Sequence, residues 1–197
     1  MKNNVKFKNI KILSLRDRKA FSYEFSEGVN FIYGTNDVGK SSLIKSLYYT
    51  LGGDLRLDDA WKSDDIVTLV EINNGENDFI FLRYKKIIGV FDLKNDDLVV
   101  YNTISSLASR VSNIFGFKLE LHNKYTGATT QANPACLFAP FFIDQDEGWK
   151  AVINSFENMS MYSEWQKTFF TITLELSQRN IIQFKGKSKK LKLKFQS

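Results

Sequence analysis

The chain has 197 residues, 43% of them hydrophobic, and a formal net charge of +5. That length suits one domain, or one and part of another, and 17 Phe against only two Pro supply a sizeable core and argue against extensive disorder. A single cysteine, Cys136, excludes an intramolecular disulfide and a Cys-based metal site and fits a reducing, cytoplasmic setting. The charge is unevenly placed. Residues 179–197 carry seven basic and no acidic side chains, which leaves 20 basic against 22 acidic residues in positions 1–178. A charge argument for nucleic-acid binding therefore rests on the tail alone. No apolar run approaches the ~20 residues of a membrane span, and the first six residues lead into none. Neither a signal peptide nor a membrane partner is expected.

In chain order, residues 5–15 alternate apolar and basic side chains and read as a strand with one solvated face; residues 20–25 alternate again and should pair with it. After a turn at Ser26-Glu27-Gly28, residues 29–33 are apolar on both faces, as a buried central strand would be. Leu43, Ile44, Leu47, Tyr48 and Leu51 fall on one face of a helix that ends at Gly52-Gly53. Residues 54–65 are a polar, acidic loop. Residues 66–72, 79–84, 87–93 and 98–101 are short strands split by charged or Asn/Asp turns, a β-meander. Residues 103–115 have helical spacing. Residues 122–133, rich in Asn, Thr and Gly, read as a loop, and 137–143 as an apolar strand. From Trp149 the apolar positions Val152, Phe156, Met159, Tyr162, Trp165, Phe169, Ile172 and Leu176 recur at steps of three and four. They predict a long helix, or two in succession, with the stripe as a packing face. The fold class expected is α/β (mixed α+β), and the phosphate-binding pattern G-x-x-x-x-G-K-S at residues 34–41 makes it of the P-loop NTPase kind. Its divisions are an ATP-binding lobe over 1–148, a helical segment over 149–178 that starts a coiled coil, and a disordered basic tail over 179–197.

Between the strand at 29–33 and the helix stands Gly34-Thr35-Asn36-Asp37-Val38-Gly39-Lys40-Ser41, the phosphate-binding pattern G-x-x-x-x-G-K-S in its required strand–loop–helix context. Gly34 and Gly39 allow backbone angles that other residues resist, so the loop's N–H groups can turn inward around phosphates. The helix N-terminus adds its dipole and unpaired donors. Lys40 is expected on the β/γ-phosphates and Ser41 on Mg²⁺, with ATP as the nucleotide.

Ser14-Leu15-Arg16, then residues 24–44 with Gly34 to Lys40 followed by Ser41-Ser42-Leu43-Ile44, resemble the N-terminal lobe of the SMC-like ATPases, the SbcC/RecF class within the ABC-type ATPases of DNA repair. The resemblance implies an ABC/SMC-head-like lobe with an antiparallel meander and C-terminal helices. It implies that Arg16 approaches the phosphates, that Asn36 is the family's loop asparagine, and that Ser42 is its second serine. It also implies a later glutamine at Mg²⁺ and the attacking water, a role that falls on Gln145. Asp37 stands where the family usually has Gly, and Lys45 where it usually has an acidic residue. Two other aspartates compete for the Mg²⁺ role of a Walker B strand: Asp144, after the apolar run 141–143, and Asp92, after 87–91.

No Leu-Ser-Gly-Gly signature and no following apolar strand ending in Asp-Glu occur in the chain. In the family these lie in a C-terminal lobe beyond a coiled coil. The expectation is thus an N-terminal half, or a reading frame interrupted near residue 178, that binds ATP but does not turn it over efficiently alone. The partners implied are that second lobe, a second copy in a head-to-head dimer, DNA, and a nuclease, in repair or in defence against foreign DNA. Two other classes remain beside it. One is a stand-alone GTPase or kinase, for which Asn123-Lys124-Tyr125-Thr126 begins an N-K-x-D motif but lacks its Asp. The other is a nucleotide-gated module that uses its basic tail on nucleic acid. His122, the one histidine, reads as a surface or structural residue.

Overall fold

Period-two alternation puts β-prone side chains on one face of strand-length segments, and in the computed structural model six of these form one antiparallel sheet. The structure describes residues 5–35, 39–57, 59, 61, 65–144, 155–163, 165–167 and 170. The strands are β1 (Lys6–Ser14), β2 (Lys19–Glu24), β3 (Ile66–Asn73), β4 (Asp78–Tyr84), β5 (Ile87–Asp92) and β6 (Asp97–Tyr101), in the spatial order β2-β1-β3-β4-β5-β6. Both predicted features, the N-terminal pair and the meander, are present. The register carries the core across the sheet. Ile10 pairs with Val70, Val70 with Phe81 and Phe81 with Val90, and all four are fully buried.

Two helices cover that face. α1 (Lys40–Thr50) buries Leu43 and Leu47. α2 (Ile104–Phe115) buries Leu107, Val111 and Ile114, and is capped by the Thr103 side chain, which accepts from Ser106 N–H. The buried face of α1 is wider than its apolar stripe. Ser46 and Thr50 are fully buried as well, because their hydroxyls donate to the carbonyls of Ser42 and Ser46 one turn back. The Thr50 hydroxyl also lies 2.7 Å from that of Thr68 on β3.

The predicted stop at Gly52-Gly53 is a Schellman end. Gly52 N–H donates to Tyr49 O (3.0 Å) and Gly53 N–H to Tyr48 O (2.8 Å). The Arg83 guanidinium stacks 3.6 Å over the Tyr49 ring and donates to Tyr49 O at 2.6 Å, closing the last turn from β4; its burial pulls its pKa below the ordinary value. Gly52 has φ +91, and a Cβ there would sit 2.7 Å from Leu107 Cδ2. Gly52→Ala should therefore cost about 1–3 kcal/mol of stability, read as a shifted urea midpoint with an unchanged slope.

The chain after α2 departs from expectation in three places. The 122–133 stretch is a hairpin, β7 (Glu120–His122) and β8 (Thr129–Gln131). Only its tip is loop: the Asn123 side chain accepts from Tyr125 N–H (2.9 Å) and Thr126 N–H (3.3 Å), so the polar residues make the turn while Leu121 is buried beside it. The 137–143 run is not a strand. Asn133 caps a short helix, α3 (Pro134–Phe138), with Pro134 at its start, and a 3₁₀ turn follows over Ala139–Phe141. The stripe from Trp149 does not continue as a helix through 155–163. Asn158 takes φ 61, and the backbone donates to other segments, Glu157 N–H to Asp54 O (2.7 Å) and Ser163 N–H to His122 O (2.9 Å). Phe156, Met159 and Tyr162 are nonetheless buried: the periodicity identified core residues correctly and their backbone wrongly. Residues 149–154 and the tail over 179–197 lie outside the described residues.

Cys136 is buried in α3, and burial pushes its thiol up to about 12. A thiol neutral in the folded state but ionising near its ordinary value when unfolded contributes stability below about pH 9 that is lost as pH rises toward 12. Native protein at pH 8 should leave Cys136 unreacted with a thiol-specific chromophore for as long as it stays folded, with release on adding urea. Among the described residues no helix is long and apolar enough to cross a membrane.

Candidate functional site

The approach to the phosphate loop is fixed by Asn30. Its side chain accepts from Ser26 N–H (2.8 Å) and donates to Ser26 O (2.9 Å), across a turn in which Gly28 has φ +88. The following segment, residues 29–33, was expected as a buried central strand and is not one. It pairs with no strand among the described residues, and Val29, Phe31 and Tyr33 are 77%, 82% and 91% exposed. Its sequence is that of a strand buried on both faces, but of its apolar side chains only Ile32 packs, partly, against the core among the described residues.

Gly39 caps α1 in the left-handed region, φ 86 and ψ 16, a conformation that favours glycine and turns the chain from loop into helix. Its carbonyl accepts from Leu43 N–H at 2.9 Å, and the first turn of α1 holds no acidic side chain, which leaves the helix's positive pole to a bound anion. Lys40 bends back over the loop. Its ammonium donates to Gly34 O (3.0 Å) and to Thr35 O, which spans the loop's two ends. Ser41 is exposed in the same turn and Ser42 half-buried. Asn36, Asp37 and Val38 lie outside the described residues, as does Gln145. Arg16 is exposed in the turn between β1 and β2, four residues beyond Ile12.

Ile12, Phe21 and Tyr23 of that hairpin face the loop across a cleft of about 640 Å³, together with Phe31, Ile32, Tyr33, Gly39, Lys40, Ser42, Leu43 and Trp61. One wall is thus phosphate-loop backbone and ammonium, and the other is apolar and aromatic. Lys40, Ser42 and the β1–β2 hairpin are brought together here; Arg16 sits at the hairpin's far end.

On the other side of α1 the structure supplies contacts that spacing did not reveal. Tyr48 packs on Phe138 and Phe142, with ring centroids 5.4 and 5.0 Å apart, and burial raises its phenol pKa. This seats the segment after α3 on the helix. There Asp144 forms a 3.1 Å ion pair with Lys45, their side chains 3% and 6% exposed, and its N–H donates to Ser155 Oγ at 2.9 Å. The two other aspartate and loop candidates have structural work instead. The Asp92 carboxylate accepts from Lys94 and Asn95 N–H (3.1 and 3.3 Å) and pairs with Arg110. Asn123, the start of the incomplete N-K-x-D, has its side-chain oxygen committed to the β7–β8 turn.

A family model described as an AAA domain matches residues 4–196. Lamassu protein LmuB of Bacillus cereus (strain VD014) is 28% identical over 163 residues, 82% of this chain and 28% of that protein. Lamassu protein LmuB of Bacillus sp. (strain NCIM 5461 / CCTCC AB 2011126 / NIO-1130) is 26% identical over 179 residues, 89% of this chain and 31% of that protein. The chain thus spans less than a third of the length of these two relatives. With a mixed α/β fold, a glycine-capped phosphate-loop helix and a family match over nearly its whole length, the chain belongs to the AAA domain family, as an SMC-like ATPase domain.

Proposed function

We propose that this chain is the N-terminal, ATP-binding lobe of an SMC-like head. The observation that carries it is the loop itself: a left-handed Gly39 at the start of α1, with the Lys40 ammonium turned back over the loop. ATP would lie on Gly34–Ser42, with Lys40 on its β/γ-phosphates, Arg16 approaching from the hairpin turn, Ser41 on Mg²⁺ and Gln145 as the second Mg²⁺ and water contact. The donor set fits the ion, since Mg²⁺ takes oxygen ligands and is usually shared between protein and substrate phosphates. When bound, Mg²⁺ neutralises charge developing on the phosphate oxygens. The chain's own part is to orient the triphosphate by loop N–H groups and the helix pole.

The exposed strand-like segment 29–33 and the apolar wall beside it support a composite head. A second lobe that adds strands alongside Val29–Tyr33 would bury them and bring the signature and general base absent from this sequence. ATP would then clamp two such heads, and hydrolysis would release them. The output proposed is DNA handling in the cytoplasm, with a nuclease partner in the intact system. Of repair and anti-phage defence, the similarity to Lamassu protein LmuB favours defence.

Competition against a fluorescent ATP analogue on the 197-residue chain tests this reading. Mg·ATP should displace the analogue at least as well as Mg·GTP, with little turnover. A strong preference for GTP would favour the stand-alone GTPase, and rapid hydrolysis by the chain alone would remove the composite site. DNA binding at low salt that vanishes on deleting residues 179–197 and ignores nucleotide would favour the tail-based module.

A further inference from the structure

Lys45 lies four residues after Ser41 on α1, about 6 Å of helix rise. Long side chains on a helix lean toward its N-terminus, which carries the Lys45 ammonium back toward the serine's turn. It meets the Asp144 carboxylate at 3.1 Å, with both side chains less than a tenth exposed. The Asp144 main chain is held as well, its N–H on the Ser155 hydroxyl at 2.9 Å, while Tyr48, on the next turn of α1, packs on Phe142. Stability alone is a poor reason for this arrangement, since two apolar residues of similar volume commonly do as well as a buried ion pair. What the pair adds is direction: the carboxylate is tied to α1 through Lys45, and the backbone that carries it is thereby set in register with the phosphate-loop helix.

We propose that Lys45 and Asp144 form a positioning pair, which sets the chain at residues 142–144 against the turn of α1 that carries Ser41 and thereby tunes the Mg²⁺-dependent part of ATP binding. The inference rests on the ATP site proposed above. Neither residue touches nucleotide in this scheme; both act through the alignment of α1 with the segment beside it. That separates it from the reading in which Asp144 is itself a Mg²⁺ ligand.

The test is ATP affinity of the 197-residue chain, measured in Mg²⁺ and in EDTA for each variant. In Lys45→Met/Asp144→Leu the fold and the affinity in EDTA should be retained, while the tightening produced by Mg²⁺ falls about tenfold or more, as when a group supporting a metal ligand is removed. The swapped pair, Lys45→Asp/Asp144→Lys, should restore most of the tightening. An apolar double variant with the wild-type Mg²⁺ increment would make the pair merely structural and overturn the proposal. Loss in both the apolar and the swapped variants would make Asp144 a direct ligand and overturn it equally. If the swapped chain does not fold, Lys45→Gln takes its place: loss of the increment supports the pair, and retention overturns it. A wild-type chain that binds no ATP in either condition, or a Lys40→Ala variant that binds it normally, would instead remove the ATP site on which the pair depends.

Discussion

Lys45→Met should destabilise the chain by about 3–5 kcal/mol, because the buried Asp144 carboxylate would lose the Lys45 ammonium 3.1 Å from it. The two side chains are 6% and 3% exposed, so water is poorly placed to compensate. The surface pair Lys85–Asp65 is shorter, 2.7 Å, but its side chains are 59% and 44% exposed, and Lys85→Met should shift the urea midpoint little, since solvent screens an exposed pair. Distance and stability thus run in opposite directions, because burial sets how much charge is left uncompensated. Urea denaturation of the two single variants checks this, with midpoints compared at equal slope. Equal midpoints would mean that the Asp144 environment is more polar than its burial indicates.

The largest effect on function is expected at Lys40. Its ammonium bridges the carbonyls of Gly34 and Thr35, a position from which it reaches whatever anion the loop holds. Each charge-assisted hydrogen bond to phosphate is worth about 1.5–3 kcal/mol. Lys40→Ala should therefore weaken Mg·ATP at least about 100-fold, or about 2.7 kcal/mol. The fold should barely register the change, since Lys40 is only partly buried; a stability shift within about 0.5 kcal/mol is expected.

Much of this arrangement was legible in the residues. Alternation located the strands, most clearly β1, β3 and β4 with their buried faces, and the hairpins between them followed from charged, Asn, Asp and Gly residues at the turns. The phosphate loop was legible because it needs glycine where φ is positive, as at Gly39. Other features were hidden for physical reasons. Phe156, Met159 and Tyr162 repeat at helical spacing, but the cross-chain bonds of Glu157 and Ser163 outcompete the helix, and these are tertiary facts. The apolar run at 137–143 looked like a strand because periodicity does not separate short apolar segments by type; Asn133 and Pro134 were the signals for a helix start. Residues 29–33 read as buried because composition alone does not say whether strands lie on either side; Val29, Phe31 and Tyr33 are exposed and Ile32 is partly packed on the core. Lys45 and Asp144 were each notable singly, one as a departure from the family pattern and one as a candidate Mg²⁺ ligand. Their partnership joins positions 99 apart in the sequence, and no local pattern encodes it.

Equilibrium titration of the 197-residue chain with Mg·ATP, beside the same titration of Lys40→Ala, tests the phosphate-loop assignment most directly. Saturable binding by the wild-type chain that is lost in Lys40→Ala, with unchanged urea midpoints, is the predicted result. Equal affinity in the two chains, or no binding by a wild-type chain shown to be folded, would contradict it.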